Sequence, residues 1–149
     1  MRFIPIGRLE NKMALSLFIF TLAAAGLWIS IYFTGVYYQW IEPDVFWMPK
    51  VCQLEKKSCL MVLDTPRAKI FGVPNSAFGI GIYLYLLTDL FFFPPLLGLL
   101  LLGLALLRSI YLAYSLLFIT KIPCPLCFTS HAINLLLFLI YLKNVLAGA

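Results

Sequence analysis

Residues 13–35 read MALSLFIFTLAAAGLWISIYFTG and lie within a longer run, Met13 to Ile41, that contains no acidic or basic residue. A bilayer core about 30 Å thick is crossed by about 20 residues of helix. The stretch therefore predicts a first transmembrane helix over about 13–35. Because the run exceeds the roughly 7 to 15 residues of a signal-peptide core, we favour a retained helix over a cleaved leader.

Three more apolar runs of similar length follow, over about 76–93, 96–120 and 124–142. Pro94 and Pro95 separate the first two of these runs, since proline removes amide donors and ends a helix. We therefore expect an all-α membrane protein, a single domain over 1–149 built as a bundle of four transmembrane helices. An even number of crossings places both termini on one side of the membrane.

Composition supports the same class. The chain has 149 residues, of which 63% are hydrophobic and 11% charged, whereas a soluble domain has about 45–50% apolar and about 25% charged residues. This excess of apolar residues excludes a soluble globular protein. The net charge is +5, but no dense basic stretch accompanies it, so we expect no nucleic-acid partner and assign the chain to the lipid bilayer.

The one long polar segment, about 36–75, joins the first two predicted helices. Its first part is rich in aromatic residues, which are typical of the membrane interface: Tyr37, Tyr38, Trp40, Phe46 and Trp47. Farther on, Thr65 and Pro66 have the pattern of a helix cap followed by proline, and Gly72 that of a helix stop. The sequence predicts a short surface helix over about 66–71.

Four cysteines form two pairs that the four-helix topology places on one membrane face: Cys52, Cys59, Cys124 and Cys127. The second pair is a C-x-x-C at a helix start, where free backbone N–H groups stabilise thiolates and promote disulfide exchange. A loop pair and a helix-end pair together suggest a thiol relay. Structural disulfides, a zinc site and a soft-metal transporter are the alternatives, and the C-x6-C spacing of the loop pair argues against zinc.

The fourth predicted helix carries a polar and aromatic stripe. At about 100° per residue, one face collects thiols, an imidazole, an amide and two rings: Cys124, Cys127, His131, Asn134, Phe138 and Tyr141. Polar groups inside a membrane usually face a bundle interior and mark a site. A quinone would fit this wall, with Cys127 as the attacking thiolate and His131 or Asn134 as donors; His131 as a satisfied interior histidine remains equally open.

A series of motifs follows in consistent order from about Cys52 to Asn134: Cys52, Ser58-Cys59, Thr65, the run Phe71 to Gly79, Tyr111-Leu112-Ala113, and Cys124-x-x-Cys127 with Ala132-Ile133-Asn134. Taken together, these residues resemble the vitamin K epoxide reductases and their bacterial homologues. The resemblance implies a four-helix bundle around a quinone of the ubiquinone, menaquinone or vitamin K type, bound by Asn75, His131, Asn134 and Thr65. No resident metal is implied.

The resemblance also implies roles for the thiols. Cys52 and Cys59 become the shuttle pair, Cys59 exchanges with Cys124, and Cys127 faces the quinone, with Asn75 donating to its carbonyl. Helix capping is an equally open role for Asn75. Three positions depart from the family pattern: Thr65 replaces a serine, His131 replaces the tyrosine of the animal enzymes, and Arg108 replaces a small residue. Arg108 is either a snorkelling side chain or a functional contact.

The expected function is a quinone-dependent thiol oxidoreductase that oxidises a separate thioredoxin-fold partner and drives disulfide formation in exported proteins. We expect it in a bacterial inner membrane, with the cysteines on the periplasmic side and electrons passing to the quinone pool. The alternatives are a vitamin K epoxide reductase in a eukaryotic membrane and, from another class, a soft-metal transporter or a structural membrane protein.

Overall fold

Four long helices dominate the computed structural model, which describes residues 6–42, 65–92, 95–119, 121 and 125–148. They are α1 (Ile6–Tyr37), α2 (Asn75–Phe92), α3 (Pro95–Tyr114) and α4 (Pro125–Gly148). A π-helical turn, Ser115–Ile119, prolongs α3. The last three helices start within one residue of their predicted starts, because proline or a polar segment precedes each apolar run.

Three of the described helical segments are long and apolar enough to cross a membrane: Glu10–Tyr37, Leu96–Ile119 and Pro125–Ala147. The fourth crossing, by α2, stays a prediction. Two helices are longer than predicted, since α1 begins at Ile6 and α4 continues to Gly148. Backbone hydrogen bonding does not require apolar side chains, so the helices extend past the lipid-compatible runs into polar residues.

The predicted short helix over 66–71 is wrong beyond its first turn. Pro66–Ala68 forms one 3-10 turn, with Thr65 at its N-cap position. The chain then forms a two-stranded antiparallel hairpin, β1 (Lys69–Ile70) with β2 (Val73–Pro74). Phe71 and Gly72 occupy the turn with φ of 53° and 82°, which is the left-handed pair that suits a tight hairpin. The fold is therefore mostly helical, as predicted, with one short hairpin that the sequence reasoning did not predict.

The helices pack chiefly in two pairs, α1 with α2 and α3 with α4, and α1 also contacts α4. Gly26 allows the close approach of α1 to α2, since a Cβ there would overlap the ring of Tyr83. The interior cluster consists of Ile19, Ala23, Ile29, Tyr32, Phe33, Val36, Tyr83, Leu86, Leu102, Leu116, Leu126, Ile133, Leu137 and Tyr141. Large apolar side chains also cover the outer surface, as expected for a lipid-facing bundle.

Aromatic rings lie at the end of α1 that leads to the polar segment. Gln39 has a left-handed φ of 62°, and the amide of Trp40 donates to the carbonyl of Gly35, which ends the helix. Trp40 is 78% exposed and stacks on Tyr38 with ring centres 5.2 Å apart. This arrangement agrees with an interfacial aromatic group; Phe46 and Trp47 lie outside the described residues.

Candidate functional site

A cavity of about 120 Å³ lies inside the bundle at the end nearest the hairpin. All four helices and the 3-10 turn contribute to its walls. Its apolar lining includes Phe33 of α1, Phe78 and Ile82 of α2, and Leu112 of α3. A volume of this order is close to that of an engineered protein cavity of about 150 Å³ that binds benzene. The cavity is therefore suited to an aromatic ring.

Cys127 lies in the first turn of α4 and lines this cavity. Its side chain is half-buried and forms no disulfide with any described residue. Pro125 is the first helical residue, the position the sequence predicted for it. Cys52, Cys59 and Cys124 lie outside the described residues, so the relay among the four thiols stays a prediction.

His131 lies one turn beyond Cys127 and also lines the cavity. Both of its ring nitrogens are buried, and neither has a hydrogen-bond partner in the described part of the chain. Its ring meets Phe128 edge to face, with centres 6.5 Å apart. A satisfied interior histidine would have a polar partner, and a ligand in the cavity would supply one. Within the described ranges no three His, Cys, Asp or Glu side chains come together as a metal site would require.

Asn134 lies on the same wall but is held in a hydrogen-bonded chain across three helices. Its side-chain amide donates to the hydroxyl of Ser109 on α3 at 2.8 Å. Its Oδ1 accepts a hydrogen bond from the hydroxyl of Tyr83 on α2, and Ser130 is hydrogen-bonded to the same tyrosine. The amide has a second hydrogen, for which the described residues show no acceptor. The first effect of Asn134 is to link α2, α3 and α4.

The predicted stripe on α4 is shorter than expected. Phe138 and Tyr141 belong to the packed interior and are not among the cavity residues. At a rise of 1.5 Å per residue, Tyr141 lies about 10 Å below Asn134 along the helix axis. The same helical face therefore serves two purposes, a cavity wall near Cys127 and core packing farther along.

Thr65 and Asn75 both line the cavity although they lie ten positions apart in sequence. The hairpin explains this, because its antiparallel pairing of Lys69 with Pro74 returns the chain to its starting level. Thr65 makes no side-chain capping hydrogen bond. Asn75 is the first residue of α2, so it lines the cavity from the start of that helix.

Two arginines also line the cavity. The guanidinium of Arg108 on α3 donates through Nη2 to the backbone carbonyls of Arg67 and Lys69, and it lies 5.1 Å from the ring centre of Tyr111. Arg67 in turn donates through Nη1 to the hydroxyl of Ser115 at 3.1 Å. Arg108 thus reaches inward to the hairpin segment, which is not the course of a side chain that snorkels to the lipid headgroups.

The sequence reasoning missed several of these side chains. Tyr83 follows Asn75 by eight positions, close to two helical turns, so a search for a polar face on α2 would have found it. Ser109 and Arg67 give no comparable signal, because their positions depend on how α3 rotates and where the hairpin docks. Arg108 was noted as a departure, and only the fold shows which groups it contacts.

Comparison with known proteins agrees with this architecture. The family model of the vitamin K epoxide reductase family matches residues 17–142, which is most of the chain. No curated protein matches the chain. The matched range includes the three apolar segments that could cross a membrane over most of their length, the hairpin and every described residue of the cavity. The protein therefore belongs to the vitamin K epoxide reductase family and is an integral membrane oxidoreductase.

Proposed function

We propose that the protein oxidises dithiols of a thioredoxin-fold partner and passes the electrons to a quinone held in the bundle cavity. The observation that carries the proposal is that Cys127 and His131, whose two ring nitrogens have no hydrogen-bond partner among the described residues, line one largely apolar cavity. A thiol, a hydrogen-bonding group and an aromatic-sized space are the components that thiol oxidation by a quinone requires. Members of this family use quinones, which agrees with the cavity.

The cavity walls fit a quinone ring. Phe33, Phe78 and Leu112 supply apolar surface, and ligand sites are commonly apolar pockets with a few placed polar groups. His131 would hold one ring carbonyl through an N–H, which would satisfy a buried nitrogen that has no partner among the described residues. Asn75, Thr65 and the remaining amide hydrogen of Asn134 are further candidates for this contact.

The thiols carry out the electron transfer in two exchanges. The pair Cys52/Cys59 takes up two electrons and two protons from the partner dithiol, whose sulfurs become a disulfide. The pair then reduces a disulfide between Cys124 and Cys127. The resulting dithiol returns to the disulfide by giving two electrons and two protons to the quinone, which becomes a quinol, so the cycle balances.

The compartment and the partner are part of the same proposal. The predicted four-crossing topology would bring the four thiols to one face, and we propose that this face is the extracytoplasmic side of a bacterial inner membrane. There the protein would reoxidise a separate thioredoxin-fold oxidase, so that exported proteins acquire disulfides. The quinone pool of the membrane is the final electron acceptor.

The test follows quinone absorbance after detergent-purified protein is mixed with a reduced thioredoxin-fold oxidase. Wild type should consume quinone at catalytic rates, and Cys52→Ala and Cys127→Ala should each abolish turnover. Thr129→Ala is the matched control, because Thr129 is exposed on the same turn of α4 and, among the described residues, its hydroxyl donates to the carbonyl of Pro125. Full activity in Cys127→Ala would refute the mechanism.

The same preparation separates the alternatives. A preference for vitamin K epoxide over a plain quinone, with a chemical dithiol as reductant, would assign the protein to epoxide reduction. Absence of quinone turnover together with tight binding of Hg(II) or Cu(I) would assign it to soft-metal handling, since thiolates prefer such ions. Inert disulfides and no metal binding would leave a structural role.

A further inference from the structure

The cavity has a positively charged end. Arg67 and Arg108 both line it, and Arg108 is held there by the carbonyls of Arg67 and Lys69. Guanidinium groups stay protonated in proteins, so two positive charges border one largely apolar space. The charge of Arg108 does not follow from the requirements of helix packing, because Leu or Ala at this position of α3 would suit an apolar bundle better.

No carboxylate balances these charges within the described residues of the cavity. Its lining contains neither Asp nor Glu. Arg108 is further under-satisfied, because its Nε is buried and has no hydrogen-bond acceptor among the described groups. Burying a charge without a counter-charge is costly. A negatively charged oxygen in the cavity would relieve this cost and would complete the hydrogen bonding of Arg108.

We propose that Arg108 makes the cavity selective for a quinone-class ligand whose ring oxygen carries negative charge. This inference rests on the proposed function and assigns a specificity-determining role to Arg108. His131 lies on α4, which packs against α3, and it supplies a neutral hydrogen bond. Arg108 on α3 supplies a charge-assisted hydrogen bond, which is about twice as strong. During thiol oxidation a ring oxygen gains electron density before it is protonated, so the same group lowers the barrier to electron transfer.

The test compares two ring systems that differ by a single substituent. Phthiocol is a methyl hydroxynaphthoquinone whose acidic ring hydroxyl is ionised at neutral pH, and dimethylnaphthoquinone has a methyl group in its place and is neutral. Both lack a free ring position for thiol addition. Their dissociation constants are measured on wild type, Arg108→Gln and Arg108→Lys in a Cys127→Ala background, corrected for partition into empty micelles, so that binding is read without turnover.

With arginine at position 108 we expect the protein to bind phthiocol more tightly than dimethylnaphthoquinone. Arg108→Gln should lower the affinity for phthiocol about tenfold or more. The affinity for dimethylnaphthoquinone should fall by less than about threefold in the same variant, since this neutral ligand loses no charged contact. Arg108→Lys should retain part of the preference, because it keeps the charge and loses the planar fork. Lys69→Gln is the matched control: its ammonium lies over the Tyr37 ring and not in the cavity, so both constants should stay unchanged.

Two results would overturn the inference while leaving the proposed function intact. One is an equal loss of affinity for both ligands in Arg108→Gln, which would mean that Arg108 only holds the hairpin in place. The other is an absence of preference for phthiocol with arginine at 108, a comparison that needs no variant at that position to fold. Binding of neither naphthoquinone would instead refute the quinone site itself.

Discussion

The two halves of the bundle differ in whether their buried groups are apolar or polar. In the half away from the hairpin, which we call the packed half, Ala23, Leu86, Leu102 and Leu137 are all 0% exposed. In the half nearest the hairpin, which we call the cavity half, His131 and Arg108 keep buried nitrogens without described partners. Unsatisfied polar groups cost stability. Their concentration around one cavity agrees with the proposal that the packed half stabilises the fold and the cavity half carries out the chemistry.

The comparison teaches how a small membrane bundle accommodates a reactive site. The helices run without interruption from the packed half into the cavity half. Rigid packing in the first therefore fixes the positions of the side chains that line the cavity in the second. Tyr83 links the halves, because it belongs to the buried cluster and its hydroxyl reaches Asn134 at the cavity. Substitutions in the packed half should therefore lower the free energy of unfolding, whereas substitutions in the cavity half should mainly lower the affinity for the ligand.

The largest expected effect on stability is in the packed half. Leu137→Ala should lower the free energy of unfolding by about 2–5 kcal/mol, because it leaves a hole among fully buried neighbours. Unfolding in mixed micelles measures the change. Leu139→Ala is the matched control, since Leu139 is 50% exposed on the outer surface of the same helix. Equal losses for both leucines would contradict the division into halves.

An intermediate effect is expected where the halves meet. Tyr83→Phe removes the hydroxyl that donates to Asn134 and should cost about 0.5–1.5 kcal/mol. Hydrogen bonds between membrane helices average about 0.6 kcal/mol, so the lower part of this range is expected. A double-mutant cycle with Asn134→Leu isolates the pair. A coupling energy of zero would show that the Tyr83–Asn134 bond does not link the helices.

The smallest effect on stability is expected for a substitution of His131, which should nevertheless lower the affinity for a quinone. His131→Leu removes two buried nitrogens without described partners, so the unfolding free energy should stay constant or rise by up to about 1 kcal/mol. Affinity for dimethylnaphthoquinone should fall about three- to tenfold through loss of one hydrogen bond. Binding and unfolding are measured on the same preparation, with Thr129→Leu as control. A marked destabilisation by His131→Leu would mean that the imidazole is structural.

Much of the helical framework could be predicted from the sequence. Apolar runs bounded by proline indicated where helices begin, and α2, α3 and α4 start within one residue of those positions. Helix ends were less predictable, because α1 and α4 extend into polar residues that a span-length argument excludes. The segment 66–71 was misjudged since its local signals suit a helical turn, whereas pairing of Lys69–Ile70 with Val73–Pro74 decides its structure.

The site was only partly predictable for a related reason. The spacing of Cys127, His131 and Asn134 on one helical face follows from the helical repeat, and all three line the cavity. Tyr83 and Ser109 join them from other helices through the hydrogen bonds of Asn134. Such contacts depend on the rotation of each helix about its axis, and an apolar lipid-facing sequence carries little information on that rotation.

The sequence by itself determined that this protein is a helical membrane protein with a C-x-x-C at a helix start and polar side chains on one face of that helix. These features depend on composition and on the period of the helix, which are local. Only the tertiary structure decided that Arg108 of α3 reaches the carbonyls of the hairpin segment, that Asn134 is held across three helices, and that the stripe on α4 divides into a cavity wall and a packed core. Those outcomes depend on which helices meet and how closely they approach, which is set by long-range packing.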